Sequence, residues 1–167
     1  GKYAIKSLDA SLEGLKKGEI DALVTGPVNK SNIKLEDFTF KGHTEYIARY
    51  FNATNKDLML MVKDNLKIAV TTTHISLKEV SEALTTELIF EKLKIINQAL
   101  SYDFGIRKPR LAVLGLNPHA GDDGLLGMEE KNIILPALKL AEDNGILVFG
   151  PYAADGFFGT DIYRKFD

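Results

Sequence analysis

The sequence predicts an α/β domain with a mixed or mainly parallel sheet, because strand-like and helix-like segments alternate along its 167 residues. Short apolar runs followed by turn-forming residues supply the predicted strands, and amphipathic stretches between them supply the helices. A chain of this length can bury one ordinary core. It contains no internal repeat, linker or low-complexity segment, so we expect a single domain, or one half of a larger cleft.

The first third of the chain predicts a helix, a buried strand and a second helix. Leucines at helical spacing mark the first helix: Leu8, Leu12 and Leu15. Residues 22–25 are predicted to form a short strand that ends at Gly26-Pro27. A polar loop then leads to a helix over 45–51, with Thr44 as its candidate N-cap.

The middle of the chain predicts two strands and two helices. Residues 58–62 and 66–72 are strand-like. Ser76 and Glu79 have the spacing of a capping box, which predicts a short helix starting near Leu77. The longer helix that follows carries apolar residues on one face: Ile89, Leu93, Ile96 and Leu100.

The last third predicts strand, helix and strand. The strands are residues 111–114 and 146–149, and the helix between them is residues 129–143. Pro136 lies inside that helix and is expected to remove a hydrogen bond and kink it.

Composition excludes several classes of protein and of site. The net charge of −2 offers no basic face for nucleic acid, and the longest apolar runs are too short to span a bilayer. Without cysteine, the chain has no disulfide, no thiolate metal site and no cysteine nucleophile. We therefore expect a cytoplasmic protein that binds neither nucleic acid nor membrane. Both ends read as internal positions of a longer chain, so we expect a fragment.

The three histidines are the leading candidates for a small-molecule site. In open α/β sheets, ligands bind beyond the carboxyl ends of strands, and His74 and His119 each follow a predicted strand. His43 differs, because it lies between Gly42 and Thr44 just before a predicted helix. Neutral imidazole is a common metal ligand, although ordinary loop histidines are the alternative interpretation.

Residues 117–121 form the most unusual segment of the chain. Its proline stiffens the approach to His119, and Gly121 and Gly124 let the backbone come close to a ligand. Asp122 and Asp123 are either acceptors for the imidazole N–H or exposed loop acids.

Three further residues have a functional and a plain interpretation. Lys30 can meet an anionic group and Asn29 can hydrogen-bond to a substrate, or both belong to a surface turn. Asp155 is either a catalytic acid or a turn residue. No dinucleotide fingerprint, phosphate loop or nucleophile elbow is present, so a Rossmann or nucleoside-triphosphate site is unsupported.

Four blocks of this sequence resemble the 4-hydroxythreonine-4-phosphate dehydrogenase family of vitamin B6 biosynthesis, in their order and separation. They are Ala-Leu-Val-Thr-Gly-Pro-Val-Asn-Lys at 22–30, Phe-Lys-Gly-His-Thr-Glu at 40–45, Thr-Thr-His at 72–74 and Gly-Leu-Asn-Pro-His-Ala-Gly at 115–121. The tail at 150–155 matches a further family segment less closely. The resemblance covers essentially the whole chain.

The resemblance implies a three-layer α/β sandwich like that of isocitrate and isopropylmalate dehydrogenases, and not a Rossmann fold. It implies metal-dependent oxidation of 4-(phosphooxy)-L-threonine by NAD or NADP to a β-keto acid, which decarboxylates to 3-amino-2-oxopropyl phosphate in pyridoxal phosphate biosynthesis. The divalent metal would be zinc, cobalt, manganese or magnesium. The family's active sites are shared between the subunits of a homodimer.

Carried over position by position, the resemblance implies that His74 and His119 bind the metal and that His43 and Thr44 contact the substrate. Asp155 would take part in proton transfer. The family's third metal-binding histidine would fall beyond Asp167 by the family's spacing. Residues 1–167 are therefore expected to be the central part of a longer two-subdomain enzyme, with N-terminal and C-terminal parts missing, and to be inactive alone.

Three alternatives to this function stay open at the level of sequence. One is a dehydrogenase of a related phosphorylated four-carbon acid, such as phosphothreonate or phosphoerythronate. Another is a metal-dependent hydrolase that uses metal-bound water and no nicotinamide. The third is a non-catalytic binding or dimerisation domain with ordinary loop histidines.

Overall fold

The structure is a computed structural model, and it describes residues 2–27, 42–53 and 56–167. The chain divides into two compact units, residues 1–57 and residues 58–167. Asn29 and Lys30, which the sequence suggested as ligand contacts, lie outside the described residues.

The first unit contains two helices whose apolar residues face inward. Helix α1, Lys2–Lys17, buries Leu8 and Leu12, as their spacing predicted. Helix α2, His43–Tyr50, buries Ala48. It begins two residues before the predicted start.

Two tyrosines of α2 bind carboxylates of α1. The hydroxyl of Tyr50 donates to Oε2 of Glu13 at 2.8 Å, and the hydroxyl of Tyr46 donates to Oδ1 of Asp9. Burial, followed by the hydrogen bond to Asp9, raises the pKa of Tyr46 to about 12. The hydrogen bond from Tyr50, followed by that from Lys17, lowers the pKa of Glu13. These bonds fix α2 against α1.

The predicted buried strand at 22–25 is wrong. These residues have no regular secondary structure and join no sheet in the structure, and Val24 is 95% exposed. A strand needs a neighbour to satisfy its N–H and C=O groups, and the described residues of this unit include no other strand.

The second unit begins with an antiparallel hairpin. Strands β1, Met59–Lys63, and β2, Leu66–Val70, pair so that Lys63 lies opposite Leu66. Asp64 opens the connecting turn with a φ of 52°. Strand β2 ends two residues before the predicted limit at Thr72.

A second pair of strands is parallel. Strands β3, Arg110–Leu114, and β4, Leu147–Tyr152, place Arg110 opposite Leu147. The N–H of Gly115 donates to the carbonyl of Tyr152 at 2.8 Å, so the pairing continues past the end of β3. With one antiparallel and one parallel pair among helices, the α/β class with mixed pairing is confirmed.

Helices of the second unit cover these strands. Helix α3, Leu77–Ala83, starts with the predicted capping box, in which the N–H of Ser76 donates to Oε2 of Glu79 at 2.9 Å. Helix α4 is Thr86–Tyr102, α5 is Leu135–Asp143, and α6 is Ala154–Phe157. The face of α4 that spacing predicted is buried in full, at Ile89, Leu93, Ile96 and Leu100.

The predicted helix 129–143 is interrupted, as its proline indicated. A π-helical turn, Glu130–Ile134, precedes α5, and Pro136 falls in the first turn of α5. Helix α5 continues directly from the π turn, in which the N–H of Leu135 donates to the carbonyl of Glu130, and Pro136 has no N–H with which to continue this pattern. The π turn widens the backbone before the proline and turns Glu130 to the interior, where it is 3% exposed.

An apolar cavity of about 470 Å³ lies within the second unit. It is lined chiefly by side chains of β2, β3 and α4, together with residues that follow each strand. Thr71 and Thr72 after β2, and Gly115 and Leu116 after β3, belong to this lining. No described helix is both long and apolar enough to cross a bilayer.

Candidate active site around His119

His119 lies in a left-handed turn that follows β3. Five consecutive residues, His119 to Asp123, have φ between 44° and 82°. All but Gly121 carry a side chain, and the left-handed conformation costs such residues roughly 1–2 kcal/mol each. We call residues 117–124 the His119 loop. Its conformation requires support from outside the loop, and such strain is common at functional sites.

Backbone hydrogen bonds and a buried carboxylate supply that support. The N–H of Ala120 donates to the carbonyl of Asn117 at 3.1 Å, and the N–H of Leu126 donates to the carbonyl of Gly121 at 3.0 Å. Oε1 of Glu130 accepts the N–H groups of Leu116 and Asn117, at 2.8 and 2.7 Å. Both ends of the loop are therefore anchored.

The imidazole of His119 is paired with a carboxylate. Its Nδ1 lies 2.7 Å from Oδ2 of Asp155, which is the second residue of α6, just after β4. The two side chains are 71% and 44% exposed. In a neutral imidazole this contact places the proton on Nδ1 and leaves the lone pair on Nε2. Such carboxylate–histidine pairs hold metal-binding imidazoles in the correct tautomer.

The acids of the loop itself play a different part. Oδ1 of Asp123 lies 2.6 Å from Nζ of Lys131, and the side chain is 94% exposed. The hydrogen bond from Lys131 lowers the pKa of Asp123. The carboxylate beside Nδ1 of His119 is thus that of Asp155, and Asp123 is an exposed loop acid, one of the two interpretations that the sequence left open.

His74 follows β2 as His119 follows β3. It has a φ of 55°, and it lies between Thr73 and the capping box of α3. Thr72, two residues before His74, and Leu116, three residues before His119, line the same cavity of the second unit. Among the described residues, no group of three or more His, Cys, Asp or Glu side chains is arranged to hold a metal ion.

His43 and Thr44 belong to the first unit, where they are the first two residues of α2. Gly42 is the N-cap residue of α2. Its backbone is extended, and no side chain at this position accepts a hydrogen bond from the first turn. The assignment of Thr44 as N-cap is therefore wrong, because the helix starts at His43, two residues earlier than that role requires. Both side chains stand at a helix N-terminus, where N–H groups favour anionic ligands.

Sequence reasoning did not single out Glu130 as part of the site. The signal was nevertheless present, because Glu130 precedes Ile134, Ala137, Leu138 and Ala141 at helical spacing, and these four are buried. A carboxylate on the apolar face of a helix is expected to bind a specific partner.

Comparison with known proteins identifies the family. The family model described as "Pyridoxal phosphate biosynthetic protein PdxA" matches residues 1–167. A 4-hydroxythreonine-4-phosphate dehydrogenase of Bacteroides thetaiotaomicron is 52% identical over 167 residues, which are 100% of this chain and 46% of that protein. One from Burkholderia vietnamiensis is 44% identical and matches 95% of this chain and 49% of its own.

Solved structures agree with the sequence matches. The crystal structure of 4-hydroxythreonine-4-phosphate dehydrogenase from Klebsiella pneumoniae gives a TM-score of 0.85 at 32% identity, over 95% of this chain and 48% of that one. A terephthalate 1,2-cis-dihydrodiol dehydrogenase from Burkholderia xenovorans gives 0.72 at 25% identity, over 94% and 50%. This chain spans about half the length of the relatives it matches. It belongs to the PdxA family of pyridoxal phosphate biosynthetic proteins.

Proposed function

We propose that this chain supplies metal-binding and substrate-binding residues to a 4-hydroxythreonine-4-phosphate dehydrogenase. The enzyme would oxidise 4-(phosphooxy)-L-threonine with NAD or NADP to a β-keto acid, which loses carbon dioxide to give 3-amino-2-oxopropyl phosphate. Family membership supports the reaction class. The structural observation that carries the proposal is the pairing of His119 with Asp155 at 2.7 Å, because it prepares an imidazole nitrogen for a metal.

The residues present fit a divalent metal in part. His119 offers Nε2 from an exposed imidazole whose other nitrogen faces a carboxylate, and His74 is the second proposed ligand. Two imidazoles suit zinc, cobalt or manganese better than magnesium, which prefers oxygen. When bound, the metal acts as a Lewis acid that lowers the pKa of the substrate hydroxyl and stabilises the charge developing during decarboxylation.

The chain's own side chains bind and orient in this proposal. Asp155 holds the Nδ1 proton of His119 and so directs Nε2 away from α6. Its carboxylate is 44% exposed, which leaves it accessible for the proposed proton transfer. His43 and Thr44 are proposed substrate contacts, and the N-terminus of α2 favours an anionic group. The three-layer sandwich of the isocitrate dehydrogenase type belongs to the same proposal.

An assay of the full-length enzyme tests this function. We expect 4-(phosphooxy)-L-threonine to reduce NAD or NADP in the presence of a divalent metal, with release of carbon dioxide. The 167-residue chain alone is expected to show little or no turnover, because its described residues group no three metal ligands and the family's third metal-binding histidine would fall beyond Asp167. If the substrate is consumed without reduction of either nicotinamide, the enzyme is a hydrolase and the proposal fails.

A related substrate is the second candidate. The fold similarity to a dehydrogenase named for a terephthalate dihydrodiol indicates that this architecture accommodates different substrates. Phosphothreonate and phosphoerythronate belong in the same assay, and a higher kcat/KM for either would reassign the substrate while keeping the reaction class.

The proposal also includes a cytoplasmic homodimer whose subunits share each active site. Mixing two impaired full-length variants tests the sharing: one is altered at His43 and assayed at substrate concentrations below its raised KM, and the other is altered at His119. Activity returns on mixing only if His43 and His119 of one active site come from different subunits. Such recovery would therefore support a shared site.

A further inference from the structure

Glu130 is the only charged side chain in the described part of the chain that is buried, at 3% exposure. A buried carboxylate is costly unless it is fully hydrogen-bonded. Oε1 accepts the backbone N–H groups of Leu116 and Asn117, and Oε2 accepts Nδ2 of Asn117 at 2.9 Å. All three donors belong to the two residues at the entrance of the left-handed turn.

The carboxylate also fills the inside of the turn. A Cβ atom added to Gly121 would lie 2.7 Å from Oε2 of Glu130, and one added to Gly115 would lie 3.1 Å from Oε1. The backbone therefore passes close to the carboxylate on both sides. A Cβ atom at position 115 would also lie 2.9 Å from Cα of Ala120, so the close approach of the loop and of the carboxylate together explains this glycine, whose conformation does not itself require one.

We propose that Glu130 is a positioning residue that fixes the left-handed turn and thereby aims His119. In one respect this inference rests on the proposed function, since the consequence for metal binding requires His119 to be a ligand. An acceptor without protons is needed, because the three groups that bond the Glu130 carboxylate are all donors. Glutamine has a single oxygen, so its own N–H donors would face either the backbone N–H groups of Leu116 and Asn117 or Nδ2 of Asn117, and aspartate would fall short by one methylene.

The adjacent Glu129 provides a matched control. Its Oε2 also accepts Nδ2 of Asn117, at 2.8 Å, but it bonds neither backbone N–H at the entrance of the loop. Both carboxylates therefore share the asparagine, and only Glu130 holds the backbone. E129Q removes a charge next to the same partner while leaving the support of the turn intact.

Imidazole ¹⁵N spectra of the ¹⁵N-histidine-labelled 167-residue chain test the positioning directly. We expect His119 to show the tautomer protonated at Nδ1 in the wild-type chain and in E129Q. In folded E130Q we expect a mixture of tautomers, because the turn no longer holds Nδ1 against Asp155. A role of Glu130 in overall stability alone would lower the melting temperature and leave the tautomer of the folded protein unchanged. An unchanged His119 spectrum in folded E130Q overturns the proposal.

A titration with Co²⁺ measures the consequence for metal binding. E130Q is expected to weaken Co²⁺ affinity about 10- to 100-fold, as the loss of groups that orient metal ligands commonly does, and E129Q is expected to match the wild type.

If H119A leaves Co²⁺ affinity unchanged, the proposed function has failed, and the His119 spectrum still decides the positioning role. If E130Q does not fold, E130D decides, because the shorter carboxylate keeps the charge but does not reach the backbone N–H groups of Leu116 and Asn117. An unchanged His119 spectrum there contradicts the proposal.

Discussion

At the scale of single residues, the chemistry of this site depends on which proton sits on which nitrogen. A histidine with 71% exposure would ordinarily sample both neutral tautomers. Asp155 selects one by facing Nδ1, and the left-handed turn delivers the ring to that carboxylate. Sequence alone identified His119 and Asp155 as candidates, but it could not pair them, because they come from separate elements whose contact depends on the parallel packing of β3 and β4.

The substitution D155N tests this selection. Asparagine keeps the shape but loses the charge, and its amide can turn to donate to Nδ1, which favours the wrong tautomer. We expect Co²⁺ affinity of the chain to fall about 10- to 100-fold. The control is D161N, because Asp161 is an exposed acid that pairs with Arg164 at 3.1 Å. Equal affinities for D155N and D161N would show that Asp155 does not orient the metal ligand.

At the scale of elements, local signals were predictable and non-local pairing was not. The capping box at Ser76 and the apolar face of α4 depend on residues within a few positions of one another. The failed strand at 22–25 has an equally apolar sequence, but a strand forms only where a partner presents matching N–H and C=O groups. Pro136 indicated an interruption, yet not the π turn that carries Glu130 inward.

The packing of α4 gives a prediction for stability. Leu100 is 1% exposed in the core, so L100A removes buried methyl groups and leaves a cavity. We expect a loss of about 2–5 kcal/mol in the free energy of unfolding, measured by urea denaturation. Leu77 is 89% exposed, and L77A should change the free energy by less than about 0.5 kcal/mol. Similar losses for both variants would contradict the assigned core.

The contact between α1 and α2 gives a prediction for pH dependence. The pKa of Tyr46 rises from 10.0 to about 12 because its protonated form is favoured in the folded chain. Its stabilising contribution is therefore complete below pH 10 and is lost as the pH rises towards 12. Y46F should remove this loss between those values, whereas Y102F, at a side chain 81% exposed, should retain it. Identical pH profiles of unfolding for Y46F and wild type would refute the assignment.

At the scale of the whole molecule, this chain spans about half of its relatives' length. In the second unit, His119 is paired with Asp155, and His74 follows β2. Residues after β2 and β3 line the cavity of this unit. The described residues do not complete a metal site by themselves. The blocks that resemble the family lie at turns and strand ends, since these carry the functional groups. The helical spacing of Glu130 indicates that it is buried, but its bonds to Leu116 and Asn117 are seen only in the structure.

Metal affinity of the full-length enzyme tests the central claim most directly. Calorimetric titration with Co²⁺ would compare H74A, H119A and H43A with the wild type. We predict that H74A and H119A lose affinity sharply, because each removes a ligand, while H43A binds Co²⁺ as the wild type does and shows an increased KM for substrate. Undiminished Co²⁺ affinity in both H74A and H119A would contradict the account.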